Sequence, residues 1–97
     1  MNSGPDAVQY ALVAERDGLY PTVRGDLVEL KAGEVWKYGI STDPAGRYPV
    51  ESLGTFGLVM EIQTRGTLPQ VYVAEKTQLI NYAISHGSLP PGNRIFK

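Results

Sequence analysis

The sequence contains no cysteine and only one histidine. The absence of cysteine excludes disulfide bonds, thiolate metal sites and cysteine nucleophiles. A single histidine excludes a zinc site built on two histidines. No apolar run approaches the roughly 18 residues that a membrane-spanning helix needs, and no signal-peptide pattern opens the chain. We therefore expect no membrane span, and an exported form would have to be carried by another protein.

A charge excess of either sign is also missing. Nine Lys and Arg residues stand against ten Asp and Glu residues, which gives a formal net charge of −1. Nucleic-acid binders usually carry a basic excess, because neutralised phosphates supply much of their affinity. The global charge therefore argues mildly against a nucleic-acid partner, unless basic side chains gather on one face. The length of 97 residues has room for one domain.

The N-terminal part of the chain is predicted to be a flexible start followed by a short helix, over residues 1–17. Asp6 suits the N-cap of a helix over Ala7–Arg16, and Gly18 suits its C-terminal stop. Residues 18–97 are then expected to form the domain proper. The segment Leu19–Val23 has an extended pattern, and Arg24–Asp26 is a turn signal.

Strands are predicted in the middle of the chain and a long helix near its end. Leu27–Leu30 and Val35–Ser41 are expected to pair as a hairpin through a short glycine-containing loop. Val50–Leu53 is expected to be one helical turn, and Phe56–Thr64 a buried strand. The resulting order, α-β-β-β-α, indicates a small α+β domain with a mainly antiparallel, three-stranded sheet flanked by helices.

The long helix is predicted over Leu68–His86, capped by Thr67 and ended by Gly87. At 100° per residue, its core-facing stripe is expected to consist of Tyr72, Val73, Leu79, Ile80, Ala83 and Ile84. Glu75 falls at the border of that stripe, where a half-buried carboxylate suits a hard cation. Its neighbour Lys76 is not expected to pair with it. His86 has a simple explanation as a cation at the helix C-terminus.

The richest chemistry lies in Gly33–Ser41, which reads Gly-Glu-Val-Trp-Lys-Tyr-Gly-Ile-Ser, and in the loop after it. Lys37 and Tyr38 are neighbours in a strand, so they should face opposite sides of the sheet. Gly39 would let a backbone or a ligand approach closely, and Arg47 follows in the loop. Cleavage of a phosphodiester needs an activator of the nucleophile and cations for the phosphate and the transition state. Taken singly, these residues are as well explained as solvated charges and core aromatics.

Tyr20, Lys37-Tyr38-Gly39, Arg47 and Glu75, in this order, resemble the GIY-YIG nucleases. Several longer runs look like the URI-fold toxin domains of polymorphic bacterial toxins: Gly18–Pro21, Gly33–Ser41, Arg47-Tyr48, Ala74–Lys76 and Leu89–Asn93. The resemblance covers residues 18–97 and implies a small GIY-YIG (URI)-like nuclease domain. The sequence departs from the usual pattern in Pro21 and in the long separation of Tyr20 from Lys37.

The resemblance implies a role for each matching residue. Tyr20 would be the general base that activates water, with Tyr38 in reserve, and Lys37 would stand where the second half-motif usually has tyrosine. Arg47 would hold the scissile phosphate, with Tyr48 and Asn93 as further substrate contacts, although Asn81 competes with Asn93. Glu75 would bind one Mg²⁺ or Mn²⁺ ion, which polarises the phosphate and stabilises the leaving oxygen.

The function implied is that of a metal-dependent endonuclease toxin domain, with DNA as substrate. It would be secreted as part of a larger bacterial effector, act in the cytoplasm of the target cell and be neutralised by a cognate immunity protein. Two alternatives stay open. One is an RNase on the same fold, and the other is a non-catalytic module that binds nucleic acid or protein.

Overall fold

The computed structural model describes residues 6–47 and 49–93. The elements in that part of the chain are, in order, β1 (Ala7–Ala14), β2 (Gly18–Pro21), β3 (Leu27–Leu30), β4 (Val35–Ser41), α1 (Pro44–Arg47), α2 (Val50–Thr55), β5 (Leu58–Gly66) and α3 (Leu68–His86). They form a small α+β domain whose main sheet has three antiparallel strands in the order β4-β1-β5. No helix in the described ranges is long and apolar enough to cross a membrane.

The segment predicted as an N-terminal helix is the central strand of the sheet. All eight residues of β1 are buried, and β1 pairs with β4 on one side and with β5 on the other. A strand buried on both faces is apolar on both faces, so it loses the alternation that marks strands. Val8, Ala11 and Leu12 then fit a helical spacing by coincidence. The predicted helix over Ala7–Arg16 is therefore wrong, because Ala7–Ala14 forms the central strand of the main sheet.

The second sheet is a two-stranded hairpin of β2 and β3. The bounds predicted for β3 and β4 are confirmed, but the two strands do not pair with each other as predicted. β3 turns back on β2, and the loop between β3 and β4 instead leads into the main sheet. There the Gly33 N–H donates to the carbonyl of Ala14 at 2.8 Å, and the Ala14 N–H donates to that of Glu34 at 2.8 Å.

The main sheet is covered on both faces. On one face, the core of β1 side chains (Val8, Tyr10, Leu12 and Ala14) packs against Tyr20 and Leu30 of the hairpin, Leu53 of α2 and Leu58 of β5. We call this the hairpin face. On the other face, Ala11 and Val13 pack with Tyr38 and with Leu79 of α3. We call this the α3 face.

The edge strand β5 and the helix α2 differ slightly from prediction. The strand runs from Leu58 to Gly66, with buried and exposed residues in alternation, instead of being a buried strand from Phe56. Phe56 lies outside the strand and is 66% exposed. The predicted helical turn at Val50–Leu53 is present as the slightly longer α2.

The bounds of α3 are as predicted, but its orientation is not. Thr67 and Gln70 form a capping box at its start, and Gly87 ends it in the left-handed conformation with φ of 79°. Its fully buried residues are Val71 and Leu79, whereas Val73, Ile80 and Ile84 are 63%, 46% and 77% exposed. The widest apolar arc of the helix therefore points away from the sheet. We call its members Val73, Thr77, Ile80 and Ile84 the outer stripe.

Candidate functional site

Tyr20, the predicted general base, is a structural residue of the hairpin face. Its side chain is buried, and its hydroxyl lies 2.8 Å from the carbonyl oxygen of Arg16 and 2.9 Å from that of Gly57. The single hydroxyl hydrogen is thus committed to backbone carbonyls. Gly57 has φ of 72°, and a Cβ there would come within 3.2 Å of the tyrosine oxygen. Tyr20 therefore ties β2 to the chain before β5, and this position does not suit a base that activates water.

Tyr10, which the sequence analysis did not single out, is the tyrosine beside the Lys37-Tyr38-Gly39 motif. Tyr10 and Gly39 are direct partners across β1 and β4. A Cβ on Gly39 would overlap the Tyr10 ring. The close approach predicted at Gly39 is therefore made by a phenol ring of the same chain. Tyr10 is fully buried, so it supports the site from below and does not reach substrate.

Lys37 and Tyr38 face opposite sides of the sheet, as predicted for neighbours in a strand. Lys37 is aligned with Leu12 on the hairpin face, and Tyr38 is aligned with Ala11 on the α3 face. Lys37 lines a pocket of about 310 Å³ between β4, α2 and the hairpin. The other residues lining this pocket are Leu12, Pro21, Val23, Trp36, Ser52, Leu53, Phe56, Leu58 and Gly92. The pocket is therefore an apolar, partly aromatic hollow with a lysine among its lining residues.

Tyr38 lies in a row of side chains that crosses the α3 face. Its partner in β1 is Ala11, and the partner of Ala11 in β5 is Glu61. Burial, and secondarily the negative charge of Glu61, raises the pKa of Tyr38 above its usual value. The phenol therefore stays protonated at neutral pH. It suits a hydrogen-bond donor better than the reserve general base that the sequence suggested.

Tyr82 and His86 extend this aromatic row along α3. Tyr82 meets Tyr38 edge to face at 6.3 Å and stacks on His86 at 3.8 Å between ring centroids. Burial, followed by the charge of Glu34 and by Tyr38, raises the pKa of Tyr82. His86 Nδ1 lies 3.1 Å from the carbonyl oxygen of Tyr82. His86 thus belongs to the end of the helix, as its position in the sequence indicates.

Asn93 forms hydrogen bonds with the free edge of β4. Its Oδ1 accepts a hydrogen bond from the Tyr38 N–H at 2.9 Å, and its Nδ2 donates to the Tyr38 carbonyl at 3.0 Å. The neighbouring Gly92 N–H donates to the Trp36 carbonyl at 2.6 Å. A Cβ on Gly92 would overlap the Trp36 indole, which explains the glycine. Asn93 is 8% exposed, and both ends of its amide are hydrogen-bonded to the Tyr38 backbone. Its competitor Asn81 is exposed on α3.

Arg47 ends α1, the short helix that directly follows β4. The side chain is exposed, and its backbone N–H donates to the carbonyl of Asp43 at 2.9 Å. Asp43 holds the turn, since its Oδ1 accepts the Gly46 N–H at 3.1 Å. Tyr48, the other predicted substrate contact in this loop, lies outside the described residues.

Glu75 lies on the side of α3 that faces the sheet. The prediction placed it at the border of the core-facing stripe. It stands one turn after Val71 and one turn before Leu79, both fully buried, so the three share one line on the helix. The Glu75 side chain is only 15% exposed. Contrary to the prediction, Lys76 pairs with it, with Nζ 3.6 Å from Oε1. The same ammonium lies 4.7 Å from the centre of the Tyr72 ring.

Gln9 is a buried polar residue that the sequence analysis missed. It is fully buried in β1 on the same side as Ala11 and Val13, which is the α3 face. Its Nε2 donates to Gln63 Oε1 at 2.8 Å, but its Oε1 has no hydrogen-bond partner among the described residues. The available signal was a single polar residue in an otherwise apolar segment. Together with Glu75 and Tyr38, it makes the α3 face unusually polar for an interior.

The possible metal ligands of the described residues bear on whether the expected Mg²⁺ or Mn²⁺ ion fits. Within residues 6–47 and 49–93, no three His, Cys, Asp or Glu side chains form a group that could hold a metal. Glu75 supplies a single carboxylate. One carboxylate fits Mg²⁺, because this ion keeps several waters and takes further oxygens from substrate phosphate. The residues therefore fit a loosely held ion and do not fit a metal site made wholly of protein ligands.

Comparisons with known proteins found no relative of this chain. No protein-family model, no curated protein and no solved structure matches this chain. The family resemblance therefore depends on the motifs quoted above.

Proposed function

We propose that this chain is the catalytic domain of a metal-dependent endonuclease. The observation that carries the proposal is the position of Glu75. Glu75 lies on the sheet-facing line of α3, one turn from each of two fully buried residues, and its side chain is only 15% exposed. Charged side chains are mostly exposed in folded proteins, so a glutamate in this position is a candidate for function.

One cationic side chain, that of Arg47 at the end of α1, is assigned to the proposed site. In that site, the Arg47 guanidinium binds the scissile phosphate through paired hydrogen bonds. Lys37 faces the other side of the sheet, the hairpin face, so it is not placed in the same site as Glu75. Tyr38 stays protonated and acts as a hydrogen-bond donor, while Tyr20 has no chemical role.

Glu75 is the proposed ligand of the divalent ion, Mg²⁺ or Mn²⁺. When bound, such an ion supplies polarisation of the phosphate and stabilisation of the leaving oxygen. Glu75 would hold the ion through Oε1, the oxygen that lies 3.6 Å from the Lys76 ammonium. The unpartnered Oε1 of Gln9 is a neutral oxygen on the same face of the sheet.

We further propose that the domain acts as a toxin against competing bacteria. It would be delivered as part of a larger secreted effector, cleave DNA in the cytoplasm of the target cell and be blocked by an immunity protein in the producer. RNA is the alternative substrate, since recognition of a 2′-hydroxyl leaves no short motif. The net charge of −1 supports only weak nonspecific binding, so attached domains would supply the remaining affinity.

The proposal is tested by plasmid and RNA cleavage with and without Mg²⁺, with wild type beside Glu75→Gln. We expect metal-dependent cleavage by wild type and a loss on the order of 10³-fold or more in the variant, comparable to the removal of a key transition-state contact. Glu29→Gln, an exposed carboxylate on β3, is the matched control and should cleave like wild type. Cleavage by Glu75→Gln at the wild-type rate would contradict the assignment.

Arg47→Ala extends the same assay to the phosphate contact. We expect a loss of about 10²–10³ in rate, as for removal of one donor to a transition-state oxygen. Arg24→Ala, an exposed arginine in the turn of the hairpin, serves as its control and should change the rate little. Equal losses in both variants would show that the assay senses overall charge and not a specific contact.

The pocket on the hairpin face favours one alternative, a domain that binds nucleic acid without cleaving it. Trp36 and Phe56 offer aromatic surface there and Lys37 offers a cation, which suits a stacked base and its phosphate. Fluorescence anisotropy with labelled oligonucleotides separates the two functions. Binding by well-folded wild type that never produces cleavage, with any added metal, would favour the binding module.

A further inference from the structure

Glu75 and Lys76 form an ion pair that is largely shielded from solvent. Their side chains are 15% and 19% exposed, whereas those of the surface pair Glu15 and Arg16 are 47% and 66% exposed. At 100° per residue, Lys76 lies between the sheet-facing line of α3 and the outer stripe. Dissolved salt screens a shielded pair less than a surface pair. The attraction between these two charges is therefore less weakened by solvent than that of an ordinary surface pair.

The Lys76 ammonium has a defined position because it is contacted from two sides. Its Nζ lies 3.6 Å from Glu75 Oε1 and 4.7 Å from the centre of the Tyr72 ring. Helical side chains lean toward the N-terminus of their helix, so Lys76 covers the residue one turn earlier, which is Tyr72. The negative face of an aromatic ring attracts a cation. The ring and the carboxylate together hold the ammonium beside Oε1.

This position bears on metal binding, because Oε1 is the oxygen proposed to hold the divalent ion. The ammonium offsets part of the charge of the Glu75 carboxylate, and it repels a second cation at the same group. Lys76 therefore competes with any divalent ion for this carboxylate, whichever of the two oxygens the ion uses. The competitor belongs to the chain itself, so its concentration beside Glu75 is fixed.

We propose that Lys76 is the built-in counter-ion of Glu75 and keeps the affinity of this carboxylate for divalent cations low. The inference rests on the proposed function, since it takes Glu75 as the ligand of the ion. Its consequence is that the free domain binds Mg²⁺ or Mn²⁺ weakly. Substrate phosphate supplies further oxygens and negative charge, so it restores the attraction that Lys76 removes. Metal binding by this domain thus depends on bound substrate.

The test is binding of Mn²⁺ to the whole chain without nucleic acid, measured from the electron paramagnetic resonance signal of free Mn²⁺. We expect Lys76→Met, which keeps the length of the side chain, to bind Mn²⁺ about fivefold to tenfold more tightly than wild type. Lys76→Arg keeps the charge and should bind like wild type. Lys76→Gln is a second uncharged variant and should show the same gain as Lys76→Met. Far-UV circular dichroism checks that each variant is folded.

Two further variants show whether the gain arises at Glu75. Lys31→Met removes a positive charge from an exposed position and is the matched control, for which we expect a change in Kd of less than about twofold. Glu75→Gln combined with Lys76→Met should lose the added affinity, because an amide carries no charge. Equal gains in Lys76→Met and Lys31→Met would overturn the proposal, and so would a gain that the double variant retains.

The result is separable from that of the cleavage assay. Equal Mn²⁺ affinity of wild type and both uncharged Lys76 variants, or no Mn²⁺ binding by any of them, would overturn this inference even if Glu75→Gln abolishes cleavage. Tighter Mn²⁺ binding by Lys76→Met, in a domain that cleaves neither DNA nor RNA, would support this inference and contradict the proposed function.

Discussion

The two faces of the main sheet are built differently. The hairpin face holds a closely packed core with two buried phenols, Tyr10 and Tyr20, and the Tyr20 hydroxyl lies against backbone carbonyls. The α3 face has a smaller apolar cluster around Leu79 and carries three polar groups, Gln9, Tyr38 and Glu75. One face therefore contributes mainly to stability. The other contains groups whose burial lowers stability and whose chemistry is suited to function.

The sharpest test of this difference compares neighbouring residues of α3. Leu79 is 1% exposed and Ile80 is 46% exposed. We expect Leu79→Ala to lower the free energy of unfolding by about 2–5 kcal/mol, and Ile80→Ala to lower it by less than about 1 kcal/mol. The measurement is urea unfolding of both variants beside wild type. Equal losses would mean that α3 is rotated relative to the sheet.

Tyr20 tests whether a conspicuous tyrosine of the hairpin face is chemical or structural. We expect Tyr20→Phe to cost about 1–3 kcal/mol, because the carbonyls of Arg16 and Gly57 lose their buried donor. The folded variant should retain nuclease activity. Thermal unfolding and cleavage rates at a temperature where the variant is folded give both readouts. A variant of normal stability that cannot cleave would return Tyr20 to the catalytic role.

Substitution of Tyr38 is expected to have the smallest effect on stability, and only at alkaline pH. Burial raises its pKa in the folded protein above the ordinary value of about 10. The folded state then holds the proton more tightly than the unfolded state, so the stabilisation is complete below about pH 10 and is lost as pH rises through the raised pKa. We expect Tyr38→Phe to weaken the fall in stability above about pH 10, and Tyr82 to maintain part of it. Unfolding curves from pH 8 to 11 would show an unchanged slope if Tyr38 were solvated.

Some elements could be predicted because the deciding signals are local. The bounds of β4 follow from its apolar pattern, and those of α3 follow from Thr67, Gln70 and Gly87, which act within one turn of the helix. The position of Lys37 and Tyr38 on opposite faces follows from strand geometry alone.

Other features depend on tertiary contacts that leave no local pattern. β1 is a strand because two other strands enclose it, although its spacing also fits a helix. The predicted sheet-facing stripe of α3 is confirmed at Leu79, but its members Val73, Ile80 and Ile84 are exposed, and Val71, outside the prediction, is fully buried. The resemblance suggests Asn93 as a substrate contact. Its hydrogen bonds to Tyr38 could not be predicted, because the two residues lie far apart in the sequence.

The hydrogen bonds of Asn93 to the edge of β4 have a consequence for solubility. A primary amide offers one donor and one acceptor, the same pair that a residue of a neighbouring strand would present, so a single side chain completes the ladder at Tyr38. The edge of β4 is thereby covered at Trp36 and Tyr38 without a fourth strand. An open rim of this kind is a template on which foreign strands assemble. The segment Leu89–Asn93 thus protects this strand edge from aggregation. Its proline residues keep it from forming a strand that could pair with another chain.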